Sequence, residues 1–211
     1  MVYVADILKF LDQLGIADAV FVGTSLGGIC TMALAHGDPE RIAGALLNDI
    51  GPVVDVAGID RIGGYVGKET RFASWDETID QLAARNHDIY PDYGRPEWER
   101  FARRIAVEEG GTVRFDYDMR IADNFESAAA APDIWPMFEA LEGRPVTILR
   151  GELSDLLTAE VAGKMATAIP DVELVIVPRV GHAPSLDEPE SLAALDRLLD
   201  RVLEAQKKGQ P

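Results

Sequence analysis

Three side chains in this sequence have the types needed for acyl transfer: Ser25, Asp155 and His182. A serine hydroxyl is a weak nucleophile until a base takes its proton, and an imidazole serves as that base when a carboxylate holds it in the correct tautomer. Ser25 lies in Gly23-Thr24-Ser25-Leu26-Gly27, with the apolar run 19–22 before it and a stretch of small residues after it. Strand, sharp turn and helix form the context that a G-x-S-x-G nucleophile elbow requires. The serine must sit at a strained turn with its hydroxyl above the strand ends. Gly23 and Gly27 are expected to remove the clash that side chains two residues to either side would make there. The backbone N–H of Leu26, directly after the nucleophile, is the expected donor to a developing oxyanion.

The other two groups also follow apolar runs. Asp155 comes after the run 145–149, in Arg150-Gly-Glu-Leu-Ser-Asp155, and His182 comes after the run 172–177, in Pro178-Arg-Val-Gly181-His182. Asp155 also suits a helix N-cap. Asp49, at the end of the run 42–47, is the rival acid, and Glu152 is a weaker one. His36 reads as a helix-terminal residue and His87 as part of an inserted segment. With three histidines far apart and one cysteine, no metal-type spacing exists and no cofactor is implied. Cys30 has no positive neighbour and reads as a small buried residue; a single thiol forms no internal disulfide, which fits a reducing, cytoplasmic location.

The elements that must position these groups alternate along the chain. Val4, Ile7, Leu8, Leu11 and Leu14 recur at helical spacing, and Gly15 ends that opening helix. A strand at 19–23 leads into the elbow and a helix through about His36. Strands follow at 42–47, 145–149 and 172–177, and helices at 157–168 and 187–206. Strands separated by helices pair in parallel, so the fold class is α/β with helices on both faces of a parallel sheet, and the strand ends carry the site on one edge. The segment 53–140 departs from that rhythm. Ser74-Trp-Asp-Glu77 is a capping box that predicts a helix to Asn86, and Pro96 opens a second helix with Trp98, Phe101 and Ile105 on one face. So long an insertion is expected to be a helical cap, or lid, over the strand ends. The division expected is a core of 1–52 with 141–206, a cap of 53–140 and a frayed tail of 207–211.

A net charge of −16 argues against nucleic acid or an anionic membrane as partner and leaves a small-molecule substrate. No secretory signal opens the chain, and no apolar run reaches the ~20 residues that span a bilayer. Nothing in the pattern specifies an oligomeric state. Several arginines of the segment 53–140, among them Arg61, Arg71, Arg95 and Arg114, could recognise a carboxylated substrate, or could simply sit on solvated helix faces. Trp75 and Trp135 are pocket candidates on the same footing, Trp135 the better one because it lies just before the cap rejoins the sheet.

Together, DILKFLDQLGI, FVGTSLGG, LLNDIGP, VTILRGELSDLL and VGHAPSLDEPE resemble the α/β-hydrolase superfamily, and within it the enol-lactone hydrolase-like group. The order Ser, Asp, His is that of this superfamily. The resemblance implies Ser25 as nucleophile, Asp155 as acid, His182 as base and a cap that supplies the substrate pocket. A serine nucleophile sets the chain apart from haloalkane dehalogenases and epoxide hydrolases, which use Asp, and from dienelactone hydrolases, which use Cys. The expected activity is hydrolysis of a small carboxylic ester or lactone through an acyl-enzyme. The alternatives are a C–C bond hydrolase on the same triad, or a non-catalytic hydrolase-like chain. In the family the elbow follows the fifth strand of eight. The resemblance therefore implies that four strands and a His-Gly oxyanion loop, on the order of 60–90 residues, are absent ahead of the opening helix. The strand 19–23 would then be a sheet edge.

Overall fold

The computed structural model describes residues 2–124 and 133–209. The chain opens with α1 (Val2–Leu14), β1 (Ala19–Thr24), α2 (Leu26–Gly37) and β2 (Ile42–Asn48). Next come α3 (Val56–Gly63), β3 (Arg71–Phe72), α4 (Trp75–Asn86), α5 (Arg95–Ile105), β4 (Ala106–Glu109) and β5 (Thr112–Phe115). The last elements are α6 (Trp135–Glu139), β6 (Val146–Gly151), α7 (Ala159–Ala168), β7 (Val172–Val177) and α8 (Pro189–Gly209). These form two compact units, one of Met1–Asp55 with Asp133–Pro211 and one of Val56–Pro132.

The first unit is a four-stranded sheet in the order β1-β2-β6-β7, parallel throughout. The two inner strands, β2 and β6, are buried along almost their whole length, as expected where helices cover both faces. Helix α2 packs on β1 and β2, α7 on β6 and β7, and α8 on β2, β6 and β7. The registers Thr24↔Asn48, Asn48↔Leu149 and Gly151↔Val177 bring the carboxyl ends of all four strands to one edge. Helix α8 runs through Gly209 instead of fraying from 207; the final two residues of the expected tail lie outside the described residues.

The second unit begins at Val56 and ends at Pro132, where the sequence suggested 53 and 140. The difference at the far end arises because α6 packs against α2 and so belongs with the sheet. The helix cap at Ser74 forms as expected, with Ser74 Oγ accepting the Glu77 N–H at 3.1 Å, but Glu77 Oε2 reaches back one residue further than a capping box, to the Ala73 N–H at 2.7 Å. The unit is not purely helical, however. It contains an antiparallel sheet in the order β3-β5-β4. Gly110 and Gly111 both take positive φ (62° and 79°) and form the two-residue turn of the β4–β5 hairpin. Among the described residues no helix is long and apolar enough to cross a membrane.

Candidate active site

Ser25 sits in the turn between β1 and α2 with φ 51° and ψ −118°, a strained conformation for a residue other than glycine. Its N–H donates to the Asn48 carbonyl at 3.2 Å, which ties the turn to the end of β2. The glycines around it divide differently from the expectation. A Cβ at Gly23 would lie 2.6 Å from the Gly28 nitrogen and 2.7 Å from the Gly27 carbonyl, so the elbow closes only on glycine. A Cβ at Gly27 would meet nothing within 4 Å, whereas one at Gly28 would lie 2.3 Å from Ile50 Cγ2. The close approach is therefore between positions 23 and 28, where α2 starts against the strand. Gly27 is not needed for it.

His182 receives Ser25. Its Nε2 lies 3.1 Å from Ser25 Oγ and its Nδ1 lies 2.8 Å from Asp49 Oδ2. An ionised carboxylate only accepts, so Nδ1 carries the proton and Nε2 is the free acceptor facing the serine hydroxyl. The expected acid was Asp155; the carboxylate on the imidazole is that of Asp49. The reason is local. Asp49 follows β2 directly with φ 55°, a left-handed conformation that Asp tolerates better than most residues, and its side chain is fully buried. There it accepts two further hydrogen bonds, from the Gly151 N–H at 2.8 Å and from Ser154 Oγ at 2.6 Å. Three donors offset the cost of burying the charge.

The loop that carries Asp155 takes part through a different residue. Ser154 Oγ accepts the N–H groups of Leu156 and Leu157 at 3.2 and 3.1 Å while donating to Asp49, so this turn presents Ser154 to the Asp49 carboxylate. Asp155 is half-buried beside it. Glu152 acts on the histidine loop: its Oε2 accepts the Arg179 N–H at 2.8 Å, and the Glu152 and Leu153 N–H groups donate to Val177 and Val180. Gly151 lets that loop approach, since a Cβ there would lie 2.5 Å from the Gly181 and Val180 carbonyl oxygens.

Asn48 is a site residue that the sequence reading missed. Fully buried at the end of β2, it donates to Thr24 Oγ1 at 3.0 Å and to the Pro184 carbonyl at 2.9 Å. It thus joins the strand before Ser25 to the segment after His182. A polar Asn closing an otherwise apolar strand, beside the Asp, was the signal available. The Leu26 N–H opens α2 and has no backbone acceptor among the described residues, which leaves it free to donate at the site. Trp135 lies at the start of α6, half-buried and edge-on to Phe138 at 6.0 Å; no hydrogen bond or ring contact joins it to Ser25, His182 or Asp49. Cys30 is buried in α2, and burial pushes its thiol pKa up. Among the described residues no group of three or more His, Cys, Asp or Glu has an arrangement that could hold a metal ion.

Residues 2–195 match the model of the alpha/beta hydrolase family. The chain belongs to that family. This alpha/beta hydrolase is 34% identical to the 3-hydroxybutyrate-oligomer hydrolase of Cupriavidus necator, over 90% of this chain and 68% of that protein. It is 26% identical to the 2-(acetamidomethylene)succinate hydrolase of Mesorhizobium japonicum, over 94% of this chain and 70% of the relative. Among solved structures, an alpha/beta hydrolase from Novosphingobium aromaticivorans is 51% identical and superposes with a TM-score of 0.89, over 94% of this chain and 71% of that one.

Proposed function

We propose that this alpha/beta hydrolase cleaves a small carboxylic ester or lactone through an acyl-enzyme, with Ser25 as nucleophile, His182 as base and Asp49 as the residue that orients the base. The observation that carries the proposal is the continuous chain Ser25 Oγ to His182 Nε2 at 3.1 Å and His182 Nδ1 to Asp49 Oδ2 at 2.8 Å. Ser25 attacks the carbonyl carbon as its proton passes to His182, and Asp49 stabilises the imidazolium that results. The carbonyl oxygen gains the negative charge and accepts from the Leu26 N–H at the start of α2. Collapse of the tetrahedral intermediate expels the alcohol, to which His182 returns the proton. A water, deprotonated by the same imidazole, then releases the acid. Similarity to a hydrolase of 3-hydroxybutyrate oligomers, whose units are joined by ester bonds, favours an ester over other hydrolysable groups. The partner proposed is a small molecule alone; an acidic chain of net charge −16 repels nucleic acid and anionic membrane surfaces.

The test is covalent labelling of the folded protein with a fluorophosphonate, followed by hydrolysis assays on a panel of short-chain esters, lactones and vinylogous diketones. Labelling confined to Ser25 and lost in Ser25→Ala is expected, with turnover of esters or lactones. Unlabelled folded protein refutes the nucleophile; labelling with turnover of diketones only refutes the substrate class.

A further inference from the structure

The second unit, Val56–Pro132, holds its own cavity of about 530 Å3, within the range of small-molecule sites. Its wall is largely apolar and aromatic, built by Leu82, Phe101, Phe115 and Tyr117, with Phe115 and Tyr117 stacked at 6.1 Å. Among the described residues its charged lining is Arg61, Lys68 and Arg85, with no Asp or Glu. That asymmetry stands out in a chain with 36 acidic and 20 basic residues. Elsewhere in the same unit Arg71 pairs with Glu69, Arg95 with Asp76 and Asp80, Arg100 with Glu97 and Arg114 with Glu109. Lys68 Nζ donates only to the Gly64 carbonyl, and Arg85 Nη2 donates to the neutral Gln81 Oε1 at 3.1 Å. Among the described residues neither cation has a carboxylate partner.

We propose that this cavity binds a monocarboxylate with an apolar body, its carboxylate held by Lys68 and Arg85 and its hydrocarbon against Leu82, Phe101 and Phe115. Two cations with no carboxylate partner among the described residues, beside an apolar wall, match one anionic head on an apolar stem: the Arg85 fork takes a planar carboxylate through paired N–H groups, and Lys68 adds a point charge. A neutral molecule of the same shape leaves the charges uncompensated, and a cationic one is repelled. This assignment goes beyond the hydrolytic reading and does not depend on Ser25.

Calorimetric titration of the full Ser25→Ala chain with octanoate, octanol and octylamine tests it, because binding is then read without turnover. Octanoate is expected to bind at least tenfold tighter than octanol, with octylamine weaker than either. The double variant Lys68→Gln/Arg85→Gln should lower octanoate affinity at least tenfold and leave octanol within about twofold, whereas Lys9→Gln on α1 changes neither. Both replaced side chains are exposed, so the melting temperature should hold. As a reading that needs no cavity variant, raising salt from about 0.05 to 0.5 M should weaken octanoate about threefold or more and spare octanol. Octanoate binding no tighter than octanol, or undiminished in the double variant, overturns the proposal; neither result bears on Ser25 labelling.

Discussion

Replacing Asp49 by Asn separates the observed acid from the one that spacing along the chain suggested. The Asp49 carboxylate is fully buried and accepts from Gly151 N–H, Ser154 Oγ and His182 Nδ1. An Asn side chain keeps one acceptor oxygen, which suits the Gly151 N–H. Its NH2 then faces His182 Nδ1 and donates to it, which drives the proton to Nε2 and aims an N–H at the Ser25 oxygen. An imidazole in that tautomer cannot take the serine proton. Loss of the correct tautomer in Ser-His-Asp sites costs on the order of 10³–10⁴ in kcat, or about 4–5.5 kcal/mol of transition-state stabilisation. KM should move little, because Asp49 acts through His182. The carboxylate also anchors the turn at Ser154, so a stability loss of about 1–2 kcal/mol, roughly 2–8 °C in Tm, should accompany it. The assay is hydrolysis of a chromogenic short-chain ester, with fluorophosphonate labelling rate as a second reading and thermal melting to show that the variant is folded. Asp155→Asn, measured in parallel, should keep activity within about threefold. If Asp155→Asn loses three orders of magnitude while folded Asp49→Asn does not, the geometric argument is wrong.

Gly23→Ala should cost about 3 kcal/mol or more in urea unfolding, because its Cβ meets backbone atoms at 2.6–2.7 Å that have no room to move, whereas Gly27→Ala should be neutral or stabilising by up to about 1 kcal/mol as a helix substitution in open space. Asn48→Ala leaves the buried Pro184 carbonyl without its donor and should cost about 1–3 kcal/mol, read as a Tm drop of roughly 2–4 °C per kcal/mol, with a fall in kcat as the histidine loop loosens. Because burial raises the pKa of Cys30, the folded protein holds less thiolate at neutral pH than an unfolded chain. A disulfide reagent should therefore react much more slowly with the native protein than in urea, and fast native reaction would contradict the packing.

Apart from α6, which the sequence reading placed in the cap, the elements of the sheet unit were legible because each carries a strong local pattern. Helix α1 has apolar residues at helical spacing, β2 and β6 are unbroken apolar runs, and the elbow combines strand, turn and small-residue helix in one short stretch. The small sheet of the second unit was not legible. Its strands β3, β4 and β5 are two to four residues long, rich in charge and without sustained alternation, and they exist only by pairing with one another.

The sequence by itself determined the α/β architecture and singled out Ser25 and His182, the nucleophile and base proposed above, because strands and their ends follow from local periodicity while the order of strands in the sheet does not. For the acid it favoured Asp155, with Asp49 as the rival and Glu152 as a weaker candidate, since each follows a strand. Only the tertiary structure decided between them. Both Asp49 and Asp155 follow strands, but the left-handed turn at Asp49 brings its buried carboxylate to His182 Nδ1, while the turn after β6 presents Ser154 to that same carboxylate. The direction in which a side chain leaves the backbone depends on φ, ψ and partners more than a hundred residues away, and no spacing rule carries that information.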